Sequence, residues 1–344
     1  MATLDEVAPL DPLSVEVTRG GRMESRHRVS AVVVDAEGGV VYRAGDPSAA
    51  VFPRSSIKPI QALALIESGA AEAQGCSDSE IALACASHAG EAVHVDTVAP
   101  WLERIGCGER DLECGCHPPY AWDAAVALLR TGQEPNQLHN NCSGKHSGFL
   151  TLARHQNWQT KGYIDYGHPV QQRILGLLES MCGLDLSDAP WGVDGCGIPT
   201  IAIPLANFAL AMARLGVPDD QPDRRQAACA RVRRAMSAHP RLVSGSGRFC
   251  TRVIQATAGR ALVKTGAEGV YAASFPQLGL GAALKAEDGA GRAAEAAMAY
   301  LLARLDVLSA EDSAALGDLL DTPITNRAGR IVGRIRATEG HVGG

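Results

Sequence analysis

Ser55 and Lys58 stand three residues apart in the run Arg-Ser-Ser-Ile-Lys-Pro, and this spacing could support nucleophilic chemistry. A serine hydroxyl becomes a nucleophile when a neighbouring base accepts its proton. Residues three apart on a helix share one face, so the Lys58 amine is expected within reach of the Ser55 hydroxyl. Pro59 fits a helix only in its first turn, which places both residues at a helix amino terminus. The spacing predicts serine acyl transfer; a capping serine beside a surface lysine is the alternative interpretation.

A second motif, Lys264-Thr265-Gly266, lies on a predicted strand much later in the chain. Ser-x-x-Lys followed by Lys-Thr-Gly is typical of serine β-lactamases and penicillin-binding proteins. Their intervening Ser-Asp-Asn motif is missing here, and Ser87-His88 follows an apolar run in its place. Ser87 is therefore a candidate partner of Lys264. His88, His139 and His146 could assist proton transfer, although an isolated histidine more often makes a structural hydrogen bond.

Cys142 and Cys196 are embedded in polar, glycine-rich sequence, which is unlike the apolar surroundings of core cysteines. Two thiolates, one nitrogen ligand and a water would complete an open four-coordinate zinc site. Lys145 would supply a nitrogen, but lysine is an unusual zinc ligand, so this pattern by itself leaves ordinary ordered loops as the alternative. The run Cys114-Gly115-Cys116-His117 could also chelate a metal or form an ordered loop.

Five segments taken together resemble the rhizobial-type L-asparaginases, also called asparaginase II or class 3 asparaginases. The matching segments are residues 54–59, 86–88, 139–146, 194–199 and 264–269. The resemblance implies a fold similar to serine β-lactamases and glutaminases, a homodimer, and hydrolysis of L-asparagine to L-aspartate and ammonia.

The resemblance also implies roles for individual residues. Ser55 with Lys58, and Ser87 with Lys264, correspond to two Ser–Lys pairs, in which Ser55 is the expected nucleophile. The implied zinc ligands are Cys142, Lys145 and Cys196, with Asp194 nearby and a water completing the shell. An amino-acid substrate also needs a partner for its α-carboxylate, and Arg54 and His146 are the candidates.

The alternation of apolar residues predicts strands at both ends of the chain and helices between them. The predicted strands include a hairpin over residues 30–44 and strands at 261–264, 270–275, 278–285 and 330–336. The predicted helices are 55–70, 121–131, 145–156, 168–182, 200–215, 222–238 and 291–305. This order predicts an α+β fold with one antiparallel sheet built from both termini. We expect a single domain over residues 1–344, with sheet portions at about 14–54 and 260–344 and a helical portion at about 55–259.

Composition excludes several classes of function. The net charge of −6 provides no basic surface for nucleic acid. No apolar run approaches the roughly 18 residues of a membrane span, and the amino terminus lacks the features of a signal peptide, so a cytoplasmic location is expected. The alternatives are a glutaminase, a β-lactam-reactive serine hydrolase and a non-enzymatic zinc protein. Ammonia release from asparagine, compared with turnover of a chromogenic β-lactam, distinguishes asparaginase, β-lactam and non-enzymatic functions.

Overall fold

The computed structural model describes residues 10–339. Its strands are β1 (Leu13–Arg19), β2 (Arg22–Asp35), β3 (Val40–Ala44), β4 (Ala50–Val51), β5 (Trp191–Val193), β6 (Pro199–Ile201), β7 (Ile203–Pro204), β8 (Leu262–Thr265), β9 (Val270–Phe275), β10 (Leu280–Ala286), β11 (Thr322–Thr325) and β12 (Ile331–Thr338). Its helices are α1 (Lys58–Gln61), α2 (Leu63–Glu67), α3 (Ala70–Ala73), α4 (Asp78–Ala84), α5 (Ala92–Arg104), α6 (Trp122–Arg130), α7 (Ser143–His155), α8 (Pro169–Cys182), α9 (Leu205–Gly216), α10 (Asp223–Ala238), α11 (Pro240–Ser244), α12 (Phe249–Ala256), α13 (Gly291–Arg304), α14 (Ala310–Ala315) and α15 (Gly317–Leu320).

The described chain divides into two compact units. The sheet unit contains residues 10–56, 202–217 and 252–339, and the helical unit contains residues 57–201 and 218–251. The sheet unit therefore combines the two ends of the chain, while the helical unit is drawn from its middle. Among residues 10–339, no helix is both long and apolar enough to cross a membrane.

The main sheet of the sheet unit is antiparallel, with the order β11-β12-β1-β2-β10-β9-β8, and β3 pairs with β2 beside this path. The turn between β2 and β3 is held by the Asp35 carboxylate, which accepts hydrogen bonds from the Glu37 and Gly39 N–H groups. Such a side-chain-stabilised turn sets the register of a hairpin. The hairpin predicted over residues 30–44 is confirmed.

Helix α9 lies directly on the sheet at β10. A Cβ at Gly281 of β10 would stand 2.1 Å from the Ala213 nitrogen and 2.2 Å from the Ala209 carbonyl oxygen of α9. Only a residue without a side chain allows this approach of helix to strand. All six residues of the neighbouring strand β9 are buried, so the core of this unit lies between the sheet and its helices.

The predicted α+β fold, with an antiparallel sheet formed by both terminal regions, is confirmed. The strands predicted near residues 261–264, 270–275 and 330–336 correspond to β8, β9 and β12. The helix predicted over 200–215 was wrong at its start, where β6 and β7 precede α9. Proline and β-branched residues favour extended backbone there, and Pro204 immediately precedes the helix.

Local sequence also explains how helices of the helical unit begin and end. Helix α4 starts with a capping box in which Ser77 and Glu80 satisfy each other's backbone N–H groups. Helix α8 begins at Pro169 and stops at Gly183, which has a left-handed φ of 64°. Helix α10 packs against α2 and α4, so α4 is held from its first turn by its cap and along its length by a neighbouring helix.

Candidate active site

Lys58 is the first residue of α1, and its side chain is almost completely buried, with 1% of its surface exposed. Its Nζ atom donates to the Ala86 carbonyl oxygen at 2.6 Å and lies 3.1 Å from both Ser87 Oγ and Cys142 Sγ. A fourth contact, at 3.5 Å, is to the Asn141 carbonyl oxygen, so the described partners of this amine are two carbonyls, a hydroxyl and a thiol group. A buried lysine amine is thereby placed against a serine hydroxyl, which is the geometry that serine activation requires.

Ser87 is positioned by the backbone of the loop after α4. Its N–H donates to the Val243 carbonyl oxygen at 3.0 Å, and the next residue, His88, donates its N–H to the Asn141 carbonyl oxygen at 3.2 Å. The loop is therefore hydrogen-bonded on both sides of the Ser87 side chain. This fixes the hydroxyl relative to Lys58.

The amino-terminal turn of α7 brings three predicted residues together. Cys142 precedes the helix, while Lys145 and His146 follow in its first turn. The Cys142 N–H donates to the Asn140 side-chain oxygen at 2.8 Å. All three side chains are buried, with between 0% and 4% of their surface exposed. The start of one helix therefore places a thiol, an amine and an imidazole in the protein interior.

Cys196 completes the cluster from the turn between β5 and β6. The turn is closed by the Gly197 N–H, which donates to the Asp194 carbonyl oxygen at 2.8 Å, and Gly197 has a left-handed φ of 89°. Lys145 Nζ donates to Cys196 Sγ at 3.0 Å, and Cys196 Sγ lies 3.9 Å from Asp194 Oδ2. Cys142 and Cys196 are both free cysteines. Two sulfur atoms and an amine nitrogen converge here.

The charges of this cluster are set by mutual contacts. The hydrogen bond with Cys196, together with burial, raises the pKa of Cys142 to about 12. The hydrogen bond from Cys142, aided by the Lys145 charge, holds the pKa of Cys196 well below its usual value. Burial opposes a charge on Lys145, but the two cysteines and Asp194 raise its pKa above the ordinary range. Without a metal, the cluster is a thiol beside a thiolate–ammonium pair.

His146 lies beside this cluster and is completely buried. Its Nδ1 atom is 2.7 Å from Tyr163 Oη, and its Nε2 atom has no hydrogen-bond partner among the described residues. Burial, followed by the charge of Lys145, holds the pKa of His146 well below its usual value. The imidazole is therefore neutral at physiological pH.

His88 is a structural residue by its contacts. Its Nδ1 atom accepts from the Gly90 N–H at 3.2 Å, and its Nε2 atom lies 2.9 Å from Ser143 Oγ. The Ser143 hydroxyl in turn donates to the Leu138 carbonyl oxygen at 2.9 Å. Both ring nitrogens are used in holding the loops around the site.

The remaining predicted residues belong to the sheet unit. Arg54 and Ser55 lie in a 3₁₀ turn, Arg54–Ile57, and Arg54 has a left-handed φ of 52°. Lys264 is fully buried on β8, and its Nζ atom donates to the Thr265 carbonyl oxygen at 2.9 Å. A Cβ at Gly266 would stand 2.7 Å from the Pro53 carbonyl oxygen and 3.1 Å from Ser56 Oγ. The absence of a side chain at Gly266 therefore lets the end of β8 lie against this turn.

The structure thus brings the predicted residues together in two groups, one within each unit. The helical unit contains Lys58, Ser87, Cys142, Lys145, His146, Asp194 and Cys196, and the sheet unit contains Arg54, Ser55 and Lys264. The pairings of Ser55 with Lys58 and of Ser87 with Lys264 remain predictions. Sequence reasoning missed the contact of Lys58 with Cys142 and that of Tyr163 with His146. No motif surrounds Tyr163 in the sequence.

The run Cys114-Gly115-Cys116-His117 supports Asn140 and Asn141. The Asn140 side chain donates to the Cys114 and Gly115 carbonyl oxygens, and His117 Nε2 accepts from the Asn141 N–H at 3.0 Å. Between residues 10 and 339, no three His, Cys, Asp or Glu side chains are grouped so that they could hold a metal ion. A metal at the Cys142–Cys196 cluster would therefore need the Lys145 amine as a ligand.

The buried lysine–serine contact in an α+β fold defines a candidate serine hydrolase. The chain belongs to the L-asparaginase II family, which it matches over residues 15–337. Membership of this family supports an amidohydrolase that acts on a small molecule. No curated relative matches the sequence.

Solved structures resemble the chain at low identity. Mglu in its tris and glutamate form is 14% identical, with a TM-score of 0.46, over 88% of this chain and 64% of that one. A β-lactamase from Mycobacterium bovis is 16% identical, with a TM-score of 0.36, over 85% and 94% of the two chains. A β-lactamase/D-alanine carboxypeptidase from Pseudomonas syringae is 12% identical, with a TM-score of 0.34, over 90% and 93%. This chain spans 59–67% of the length of the Mglu chains that it matches.

Proposed function

We propose that this protein hydrolyses the side-chain amide of L-asparagine to L-aspartate and ammonia through a serine acyl-enzyme. The observation that carries the proposal is the buried Lys58 amine, 3.1 Å from the Ser87 hydroxyl. Family membership supports the amide as the bond that is broken. In the proposed reaction Lys58 is the proton acceptor, and it must hold its amine neutral to do so.

The proposed reaction has two steps. As the serine oxygen attacks the amide carbon, its proton passes to the lysine amine, and that proton then leaves with the amide nitrogen as ammonia. A water molecule then attacks the aspartyl ester and gives one proton to the lysine, which passes it to the departing serine oxygen, so that aspartate leaves and both the serine hydroxyl and the neutral lysine are regenerated. Sequence predicts Ser55 as the nucleophile, whereas Ser87 is the hydroxyl that Lys58 contacts in the helical unit. The experiment below separates these two assignments.

A zinc ion held by Cys142, Lys145 and Cys196 is part of the proposal. The thiolate of Cys196 and the 3.0 Å contact between Cys196 and Lys145 support this donor set. Thiolate sulfur and neutral nitrogen are ligands that zinc accepts. When bound, the ion would offer an open coordination position that orients a polar group of the substrate.

The substrate's α-carboxylate requires donors, and we assign Arg54 and His146 to it. His146 offers a buried ring nitrogen without a hydrogen-bond partner among the described residues, which supports its assignment. We also propose that the protein forms a homodimer and is located in the cytoplasm, as expected from the sequence.

Ammonia release from L-asparagine, L-glutamine and a chromogenic β-lactam such as nitrocefin, with metal content determined on the same sample, tests the proposal. We expect turnover of asparagine, weaker turnover of glutamine, and none of nitrocefin. One methylene is worth only about 1–3 kcal/mol in a pocket, so the ratio of the two amides needs measurement. Nitrocefin hydrolysis without ammonia release from either amino acid would overturn the proposed function.

Variants then test the mechanism. Lys58→Met keeps the aliphatic stem and removes the base, so kcat is expected to fall by about 10²–10⁴. Lys161→Met is the matched control, because the Lys161 side chain is 92% exposed and its amine pairs with Glu113 rather than with a serine. Ser55→Ala and Ser87→Ala identify the nucleophile, since only its loss prevents an aspartyl adduct visible by intact-protein mass spectrometry after acid quenching. Full activity in Lys58→Met would contradict the role of Lys58.

A further inference from the structure

The Nε2 atom of His146 differs from the corresponding atoms of two other buried histidines in the helical unit. His88 Nε2 contacts Ser143 Oγ at 2.9 Å, and His94 Nε2 contacts the Arg241 carbonyl oxygen at 3.1 Å. His146 Nε2 is buried and has no hydrogen-bond partner among the described residues. Buried polar atoms are nearly always hydrogen-bonded, so an unpaired one needs an explanation. Its position beside Lys145, in the proposed site, indicates a ligand.

Tyr163 determines which kind of ligand atom this nitrogen can bind. Tyr163 Oη accepts a hydrogen bond from the Glu113 N–H at 2.9 Å and lies 2.7 Å from His146 Nδ1. The single phenolic proton then points to Nδ1, which accepts it, and the imidazole proton resides on Nε2. The opposite tautomer would leave both the phenolic proton and the Nε2 lone pair unpaired in a buried site. His146 Nε2 is therefore a hydrogen-bond donor.

The backbone holds Tyr163 in place for this contact. The Tyr163 side chain is completely buried, and its carbonyl oxygen accepts from the Gln171 side-chain amide of α8 at 2.8 Å. Its ring also meets the His146 ring edge to face, with the centroids 5.4 Å apart. The phenol thus fixes both the proton position and the orientation of the imidazole.

We propose that Tyr163 is a positioning residue, which holds His146 so that its Nε2–H donates to a carboxylate oxygen of the amino-acid substrate. This inference rests on the proposed function, because it takes an amino acid as the ligand. An N–H donor that has no acceptor among the described residues is matched by the acceptor-only oxygens of a carboxylate. A substrate without the α-carboxylate would not use the contact.

Tyr163→Phe tests the inference, with Tyr166→Phe as the control from the same loop. We expect KM for L-asparagine to rise about tenfold in Tyr163→Phe, as for a lost hydrogen bond to a charged group, while kcat changes by less than about threefold. β-Alaninamide, which has the side-chain amide and the amine but lacks the α-carboxylate, should give the same kcat/KM with both variants and the wild type. An unchanged KM for asparagine, or an equal loss with β-alaninamide, would overturn the inference.

Two further measurements do not depend on turnover. The ¹⁵N signals of His146, identified by their loss in His146→Gln, should show an Nε2-protonated neutral ring in the wild type, and L-aspartate should shift the Nε2 signal. An Nδ1-protonated ring would refute the inference even if Tyr163→Phe does not fold. If the protein releases no ammonia from asparagine, the proposed function fails, whereas the tautomer and the response to aspartate still decide the role of Tyr163.

Discussion

At the scale of single residues, the site depends on ionisable groups that are buried against one another. Cys142 and Lys145 come from one turn of α7, whereas Cys196 lies 51 residues beyond Lys145 in the chain, yet each of the three affects the protonation of the others. The low pKa of Cys196 follows from the Cys142 hydrogen bond and the Lys145 charge, both of which favour its thiolate. A cysteine that is already a thiolate can bind a soft cation without first losing a proton.

Cys142→Ser and Cys196→Ser should each lose stoichiometric zinc, because a hydroxyl is a much poorer zinc ligand than a thiolate. Cys107→Ser is the control, since this half-exposed thiol lies outside the cluster. Elemental analysis of the purified variants provides the measurement. Full zinc content in both cluster variants would remove the metal from the proposal.

Zinc binding should also strengthen steeply with pH. The pKa of Cys142 is about 12 and that of Lys145 is raised, so both are protonated near neutral pH, whereas Cys196 is already a thiolate. Binding through all three ligands therefore releases about two protons, and Kd should fall about 100-fold per pH unit between pH 6 and 8. Competition with a chromogenic chelator, corrected for the chelator's own protonation, measures this slope. A slope near zero would show that neither Cys142 nor Lys145 loses a proton on binding.

At the scale of elements, α7 positions the site by its close approach to α4. A Cβ at Gly144 would lie 2.4 Å from the Leu83 carbonyl oxygen, so a larger residue must push the two helices apart. The same turn of α7 carries Lys145 and His146. The packing of these two helices therefore sets the geometry of the cluster.

Gly144→Ala should destabilise the protein by about 1–3 kcal/mol, as expected for overpacking against backbone, and should lower activity. Gly148→Ala is the control on the same helix, because its new Cβ would meet the Leu65 side chain at an ordinary 3.5 Å. That substitution is expected to be neutral or slightly stabilising, since alanine favours helix over glycine. Urea unfolding of both variants tests the pair, and equal stability would contradict the close approach.

At the scale of the whole molecule, buried histidines link stability to pH. Burial holds the pKa of His88, His94 and His146 below the ordinary value of 6.5. Below about pH 6.5 these histidines bind protons in the unfolded chain but not in the native state, so the free energy of unfolding decreases as pH falls. The stability that depends on keeping these histidines neutral is therefore fully present above pH 6.5.

The free energy of unfolding should decrease by up to about 1.4 kcal/mol per pH unit for each of these histidines below about pH 6. Urea unfolding at pH 7.5, 6.0 and 5.0 measures the effect. His88→Gln should flatten the dependence, because it removes one of the three buried histidines. An unaltered slope in His88→Gln would show that His88 is protonated in the native state.

The sequence by itself determined the family motifs, the class of fold and most local elements. The hairpin at 30–44 and strands β8, β9 and β12 could be predicted because alternating apolar residues and turn-forming residues act over a few positions. The segment at 200–215 was harder, since Pro204 and its neighbours favour extended backbone next to a helical pattern.

The tertiary structure alone decided which groups touch. Lys58 meets Ser87 and Cys142 across 29 and 84 residues of chain, and Tyr163 reaches His146 from a loop without any motif. Motif spacing names residue types, but hydrogen bonds between distant segments depend on how helices such as α4 and α7 pack. The charge of Cys196 also depends on tertiary structure. Packing places Cys142 and Lys145 against Cys196, and these two residues lower its pKa, which favours the thiolate. No local pattern in the sequence specifies that contact.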